Sequence, residues 1–147
     1  MTADSSLDQW VVLRLDDHEY ALAVQQVVEV LRMVALQPLP EAPPYIAGVL
    51  NLRGNGIVVM DLRKRLGLPA KAPDLQTQIV IVDSRGEPLG LIADEVIDII
   101  TLPRTALKPA EELSGVSSLL FAGLVHAEDR LILVLDLDRF NGAPSAG

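Results

Sequence analysis

Two constant spacings run through this chain of 147 residues, and a sequence that repeats itself must fold by using one unit twice. Gln9-Trp10-Val11-Val12-Leu13 and Gln78-Ile79-Val80-Ile81-Val82 share a pattern at an offset of 69. The same offset carries Tyr20-Ala21-Leu22 onto Leu89-Gly90-Leu91, and Val27-Val28-Glu29-Val30-Leu31 onto Val96-Ile97-Asp98-Ile99-Ile100. Further along, the offset becomes 75: Ala47-Gly48-Val49-Leu50 meets Ala122-Gly123-Leu124-Val125, and Met60-Asp61-Leu62 meets Leu135-Asp136-Leu137. The additional six residues fit in the longer second connector, Thr101 to Phe121. The duplicated unit is therefore about 65 to 70 residues long.

Within each copy the local signals favour strands. Trp10 to Leu15 is apolar and β-branched, and it breaks at Asp16-Asp17-His18-Glu19 before Tyr20-Ala21-Leu22. The second copy turns through Asp83-Ser84-Arg85-Gly86-Glu87-Pro88. Val27 to Met33 fits helix or strand by periodicity, and its Val enrichment decides for strand. Gln25-Gln26 and Asp94-Glu95 are then placed in short helical turns before those strands. Pro38, Pro40, Pro43 and Pro44 exclude regular structure from the first connector, and Pro103 and Pro109 act similarly in the second.

Each copy ends in a hairpin, Ile46 to Leu52 with Gly56 to Met60, and Leu124 to Ala127 with Arg130 to Leu135. Asn55-Gly56 is the expected tight turn of the first, since both residues tolerate positive φ. A short helix follows Asp61, its N-cap, and Gly67 is placed for the left-handed residue beyond it. Ile57 to Met60 and Leu131 to Leu135 do not alternate, which implies cover on both faces. The fold class expected is all-β: two similar small barrels packed around a shared core, with short helices after the hairpins. The domain spans 8–140, in two subdomains of approximately 8–72 and 77–140 with room for strand exchange between them. Residues 1–7 and 141–147 form flexible termini.

Composition narrows the function. Half the residues are hydrophobic and only 3% aromatic, so the core is built from Val, Leu and Ile. With no cysteine there is no disulfide, thiol catalysis or cysteine metal site. His18 and His126 sit in different turns without a second ligand at metal spacing, so no metal or other cofactor is expected. A net charge of −8 argues against nucleic acid as partner, and the short Arg63-Lys64-Arg65 cluster reads as a solvated helical turn. No apolar run is long enough to enter a membrane, which makes the cytoplasm the expected compartment. Asp94, Glu95 and Asp98 read as a solvated turn plus one acid, since they lack the spacing of a calcium loop. Ser117-Ser118 has no base nearby, and no nucleophile, base and oxyanion hole assemble anywhere, so no catalytic residues are assigned and the chain is not read as an enzyme.

"YIAGVLNLRGNGIVVMDLRKRLGL" (Tyr45 to Leu68) resembles the signature region of the CheW-like coupling proteins of bacterial chemosensory arrays. "YALAVQQVVEVLR" (Tyr20 to Arg32), "LGLIADEVIDII" (Leu89 to Ile100) and "FAGLVHAEDRLILVLDLDRF" (Phe121 to Phe140) extend the resemblance over roughly residues 8 to 140. It implies two SH3-like five-stranded barrels around a shared core, and a non-catalytic adaptor. The implied partners are the cytoplasmic tip of chemoreceptors and the regulatory domain of a CheA-type histidine kinase, with other CheW-like domains met in rings at membrane-associated arrays. By the same resemblance Asn51, Leu52, Arg53 and Gly54 map to the receptor-coupling loop, and Val27, Glu29 and Val30 to the neighbouring strand of the receptor groove. No motif is sharp enough to assign kinase-contact residues. The chain departs from the family in carrying Val58 where a proline is frequent, and Asn55-Gly56 where bulkier residues are common.

Arg53 can also be weighed without the resemblance. At the offset of 75, Asn51-Leu52-Arg53-Gly54 meets His126-Ala127-Glu128-Asp129, so a barrel closes the equivalent hairpin without this tip. Gly54 and Gly56 alone make no phosphate loop, because no helix opens at the turn. Docking and a private salt bridge both remain open on the residues themselves, and the resemblance favours docking. The alternative of another class is a stand-alone small barrel binding single-stranded nucleic acid, against which the acidic charge and the few aromatics argue.

Overall fold

A computed structural model describes residues 7–109 and 120–142 of the chain. Ser117-Ser118, much of the second connector and most of both termini lie outside the described residues. The strands are β1 (Leu7–Leu15), β2 (His18–Ala23), β3 (Val27–Arg32), β4 (Ile46–Leu52), β5 (Asn55–Asp61), β6 (Gln78–Ser84), β7 (Glu87–Ala93), β8 (Glu95–Pro103), β9 (Leu107–Pro109), β10 (Phe121–Ala127) and β11 (Arg130–Leu135). Two short helices, α1 (Leu62–Arg65) and α2 (Leu137–Gly142), follow β5 and β11. Among the described residues no helix is long and apolar enough to cross a membrane.

The strands form two sheets. One has the order β8-β1-β2-β11-β10-β9 and the other β3-β6-β7-β5-β4. They correspond to two compact units, one of residues up to Gln25 with those from Ile97 onward, the other Gln26–Val96. The duplicated sequence blocks and the compact units therefore differ. Each block contributes its first hairpin to the sheet that holds the remaining strands of the other block: β1-β2 joins β8 to β11, and β6-β7 joins β3 to β5. The joins are parallel, β11 with β2 and β5 with β7. A parallel pair cannot be closed by a tight turn, so it is made where the two partners come from distant chain segments.

Each unit has its own apolar centre. Trp10, Val12, Ala21, Val125, Ile132 and Val134 fill the first, and Leu50, Ile57, Val59, Ile79 and Ile81 fill the second. Burying one such aliphatic side chain contributes about 1.5–3 kcal/mol. The strands with four successive buried residues are β1, Trp10 to Leu13, and β6, Ile79 to Val82. That differs from the expectation for β5 and β11. Val58 and Leu131 are exposed, so these strands alternate near their turns and bury consecutive residues only further on, at Val59-Met60 and Val134-Leu135. The turn-proximal parts stand at the mouths of the units, where only one face has cover.

The repeated Ala-Gly pair has a physical reason. Both β4 and β10 carry an irregularity in register, between Ile46 and Gly48 and between Phe121 and Gly123. There another segment crosses close by: Gln37 bridges Val49, and β9 pairs with β10 through Lys108 and Leu124. A Cβ on Gly48 would lie 2.6 Å from the Gln37 carbonyl oxygen, and one on Gly123 2.0 Å from that of Lys108. Only glycine admits a backbone that near.

Helix α1 begins as anticipated, with Asp61 accepting from the Arg63 and Lys64 amides at 3.0 and 3.4 Å. Of its basic residues only Lys64 is exposed, as the solvated turn required; Arg63 is buried and Arg65 half-buried. Arg63 and Asp94 have side chains only 7% and 6% exposed, with Arg63 Nη1 3.5 Å from Asp94 Oδ2. Arg63 Nε also donates to the Pro69 carbonyl at 3.1 Å, and Arg65 lies over the Tyr45 ring at 4.9 Å. Asp94 is thus a buried counter-ion, not part of a solvated turn, and it precedes β8 without a helical turn. The sequence hides this because the two partners are far apart along the chain.

Gly123→Ala is expected to cost about 1–3 kcal/mol through overpacking against β9. Gly56→Ala, whose methyl meets only Val49 Cγ1 at 3.4 Å, should cost less, and urea midpoints compare the two. Equal midpoints would show that the crossing at Gly123 gives way freely. Asp94→Ala strips the buried Arg63 of its carboxylate and is expected to lose about 3–5 kcal/mol in the same measurement.

Candidate docking groove

The mouth of the Gln26–Val96 unit is shaped by two hairpin turns of one design. Leu52 pairs with Asn55 and Ser84 with Glu87, so each loop has two residues, Arg53-Gly54 and Arg85-Gly86. Both residues of each loop have positive φ, 52° and 88° in the first and 55° and 82° in the second. This is the type I′ pattern, whose twist matches that of the flanking strands. In each turn a side chain two positions before the arginine accepts the glycine amide. Gly54 N donates to Asn51 Oδ1 at 3.0 Å, and Gly86 N to Asp83 Oδ1 at 2.7 Å.

The expected turn at Asn55-Gly56 is therefore corrected: both residues belong to β5, and Arg53-Gly54 makes the bend. The sequence offers two turn-prone glycine pairs in adjacent positions. Cross-strand register and the carboxamide of Asn51 select the earlier one. Asn51 and Gly54 thus have local structural work, and the turn presents Arg53 at its outer end.

Strand β3 supplies the opposing wall. Its pairing with β6 steps from Val27 opposite Val82 to Glu29 opposite Ile81, so Val28 is an additional residue in a bulge. A bulge re-aims side chains. Here it leaves Val28 64% exposed, while Glu29 falls opposite Ile81 of the apolar centre. A carboxylate at such a rim requires a partner, and Arg53 provides one. Its Nη2 lies 2.9 Å from Glu29 Oε2 and its Nη1 3.2 Å from Oε1. Hydrogen bonding to Glu29, and then its charge, raise the Arg53 pKa above the usual arginine value. The arginine side chain is 68% exposed and that of Glu29 29%, so the pair spans from the rim into solvent.

Between these walls lies a groove of about 440 Å³, lined by Val28, Glu29, Leu52, Arg53, Ile57 and Pro88 among others. Of the residues singled out from sequence, the structure brings Leu52, Arg53 and Glu29 together on this groove. Asn51 and Gly54 shape the turn beside it. Val27 and Val30 belong to β3 but do not line the groove, Val30 being turned outward and partly exposed. Val28 stands there instead, because of the bulge. The β6-β7 side, with Asp83, Gly86 and Pro88, was not anticipated. Its signal was present in the sequence, since Asp83-Ser84-Arg85-Gly86 carries the same Asx, Arg and Gly spacing as Asn51 to Gly54.

A concavity of mixed lining, with apolar side chains beside polar ones and an ion pair on its rim, can hold a protein segment by burying side chains and orient it by charge. Among the described residues no group of three or more His, Asp or Glu side chains could hold a metal ion. The groove offers contact surface, with no nucleophile and base in hydrogen-bond reach of each other.

The family model described as the CheW-like domain matches residues 9–143. The chain is 34% identical to the chemotaxis protein CheW of Bacillus subtilis over 138 residues, covering 92% of this chain and 88% of that protein. It is 30% identical to the chemotaxis protein CheW of Rhizobium meliloti over 129 residues, 87% and 83% of the two chains. The crystal structure of the scaffolding protein TtCheW from Thermoanaerobacter tengcongensis aligns with a TM-score of 0.84 at 30% identity, over 91% of this chain and 87% of that one. A domain match over nearly the whole length, relatives at this identity and a shared architecture lead to one conclusion: the chain belongs to the CheW-like family.

Proposed function

We propose that this protein is a non-catalytic adaptor that couples the cytoplasmic tips of chemoreceptors to a CheA-type histidine kinase in a chemosensory array. Family membership supports the class, because the relatives named above are chemotaxis and scaffolding proteins. In this reading the protein works in the cytoplasm and is recruited to membrane-associated arrays by its partners. The regulatory domain of the kinase is one partner, and other barrels of the same family are further ones. Signal passes as a change in how these bodies are held together, without a chemical step.

The single observation that carries the receptor assignment is the Arg53–Glu29 pair at the mouth of a groove whose lining mixes Val28, Leu52, Ile57 and Pro88 with Asn55 and Asp83. An amphipathic helix docks by laying apolar side chains into such a groove. Arginine suits the rim because its planar fork can hold Glu29 on one edge and meet a partner's acceptor on another, while its stem covers apolar surface. Glu29 fixes the fork in advance, which lowers the conformational cost of binding.

Arg53→Glu should leave the circular-dichroism spectrum unchanged while abolishing co-sedimentation with a receptor cytoplasmic fragment. Full binding by that folded variant would remove the site assignment. The charge-swapped Glu29→Arg/Arg53→Glu protein separates contact from positioning. It retains an ion pair across the groove but no arginine at the turn, and it is expected to remain unbound. Recovery of binding by the swap would mean that Arg53 acts only by holding β3.

A further inference from the structure

The Asn55-Gly56 pair does not turn the chain, and its place at the start of β5 opens a different chemistry to it. An asparagine before glycine can lose ammonia, because the next residue has no Cβ to block approach of its main-chain nitrogen to the carboxamide. The fold treats the two asparagines near the groove differently. Asn51 is held twice. Its Oδ1 accepts the Gly54 amide at 3.0 Å. The nitrogen that would attack it, that of Leu52, belongs to the Leu52–Asn55 pair that closes the hairpin. In a two-residue hairpin the residues flanking the loop exchange both main-chain hydrogen bonds, so that nitrogen is engaged.

The same register leaves Asn55 and Gly56 open. Asn51 and Gly56 form the next pair, the one without ladder hydrogen bonds, so the Gly56 N–H points away from β4. On that other side the pairing with β7 covers only Val59 to Asp61 and stops short of Gly56. Both residues are exposed. A methyl on Gly56 would meet only Val49 Cγ1, at 3.4 Å, so little crowds the pair. Rotation at Asn55 that brings the Gly56 nitrogen onto Cγ disturbs at most the terminal pair with Leu52, and ladder ends open most readily.

We propose that Asn55 is a site of non-enzymatic deamidation, which places an acid in the docking groove. Base removes the Gly56 amide proton, and the nitrogen attacks Asn55 Cγ. The Cγ–Nδ2 bond breaks, Nδ2 takes a proton from water and leaves as ammonia, and a cyclic succinimide remains. A second water opens either imide carbonyl, giving aspartate or isoaspartate with no redox partner. Either product adds a negative charge close to Arg53 in sequence, in a groove that Glu29 and Asp83 already line. That charge disfavours a partner whose acceptor meets Arg53. Isoaspartate also adds a main-chain carbon to β5 opposite Leu52, which disturbs the register that shapes the groove. The capacity of the groove then falls as each molecule ages. The effect on docking rests on the receptor reading; the chemistry at Asn55 does not.

Trypsin cuts after Arg53 and so separates Asn51 from Asn55, which makes peptide mapping of the aged full chain the test. After incubation of the folded protein in mildly alkaline buffer, the peptide Gly54 to Arg63 should show the mass shift of an amide turned to an acid. It should split into two products of equal mass, and their rate of formation should rise with hydroxide concentration. The peptide Met33 to Arg53, which carries Asn51, should match a fresh sample throughout. Asn55→Gln should abolish the shift and Gly56→Ala should slow it severalfold. A synthetic peptide of the Gly54 to Arg63 sequence gives the rate without the fold. A folded chain that stays unchanged while that peptide converts would overturn the proposal, as would equal conversion at Asn51. Docking is read separately: Asn55→Asp should reduce co-sedimentation with the receptor cytoplasmic fragment severalfold. Full binding by Asn55→Asp, with Arg53→Glu unbound, would overturn the effect on the groove. Full binding by both variants would instead remove the receptor reading, and the mapped conversion would still decide the chemistry at Asn55.

Discussion

The parallel pairings of β2 with β11 and of β5 with β7 are the constraint on which the structure depends. Without them neither duplicated block has a complete sheet, because its first hairpin lies in the sheet of the other block. Edge strands are costly to leave open, and each exchanged hairpin is covered on both sides by strands of the receiving sheet. The same joins align the strands that leave each turn. They therefore decide where the turns stand, and with the turns the groove.

The groove in the Gln26–Val96 unit is the product of small departures from regular pairing. A bulge at Val28 turns that valine out and sets Glu29 above the apolar centre. A type I′ turn lifts Arg53 to meet it, and Asn51 holds the turn by accepting the Gly54 amide. Each device is local and modest in energy. Together they place an exposed ion pair beside Leu52, Ile57 and Val28.

Two ion pairs in this unit illustrate what burial does. Arg63–Asp94 is nearly inaccessible and ties α1 and the following segment to the start of β8. Breaking it strands a charge in the interior, so it acts as a structural clip. Arg53–Glu29 is largely solvated and screened, and such pairs contribute little to stability. The two look alike in sequence, since each is an arginine with a distant acid.

The sequence by itself determined the duplication, the strand-rich class and the family resemblance. These are legible because repeat offsets, β-branched runs and turn residues are local or periodic signals. The Ala-Gly pairs belong with them, although their cause, a crossing carbonyl at Gly48 and Gly123, is visible only in the fold. Tertiary structure alone decided that Arg53-Gly54 makes the bend, that Val28 lines the groove, that Arg63 and Asp94 are buried partners, and that Asp83, Gly86 and Pro88 complete the groove's lining. Each of those depends on cross-strand register or on contact between segments far apart in the chain. A one-residue shift in register moves a side chain to the other face, and no local pattern records which segment will lie opposite.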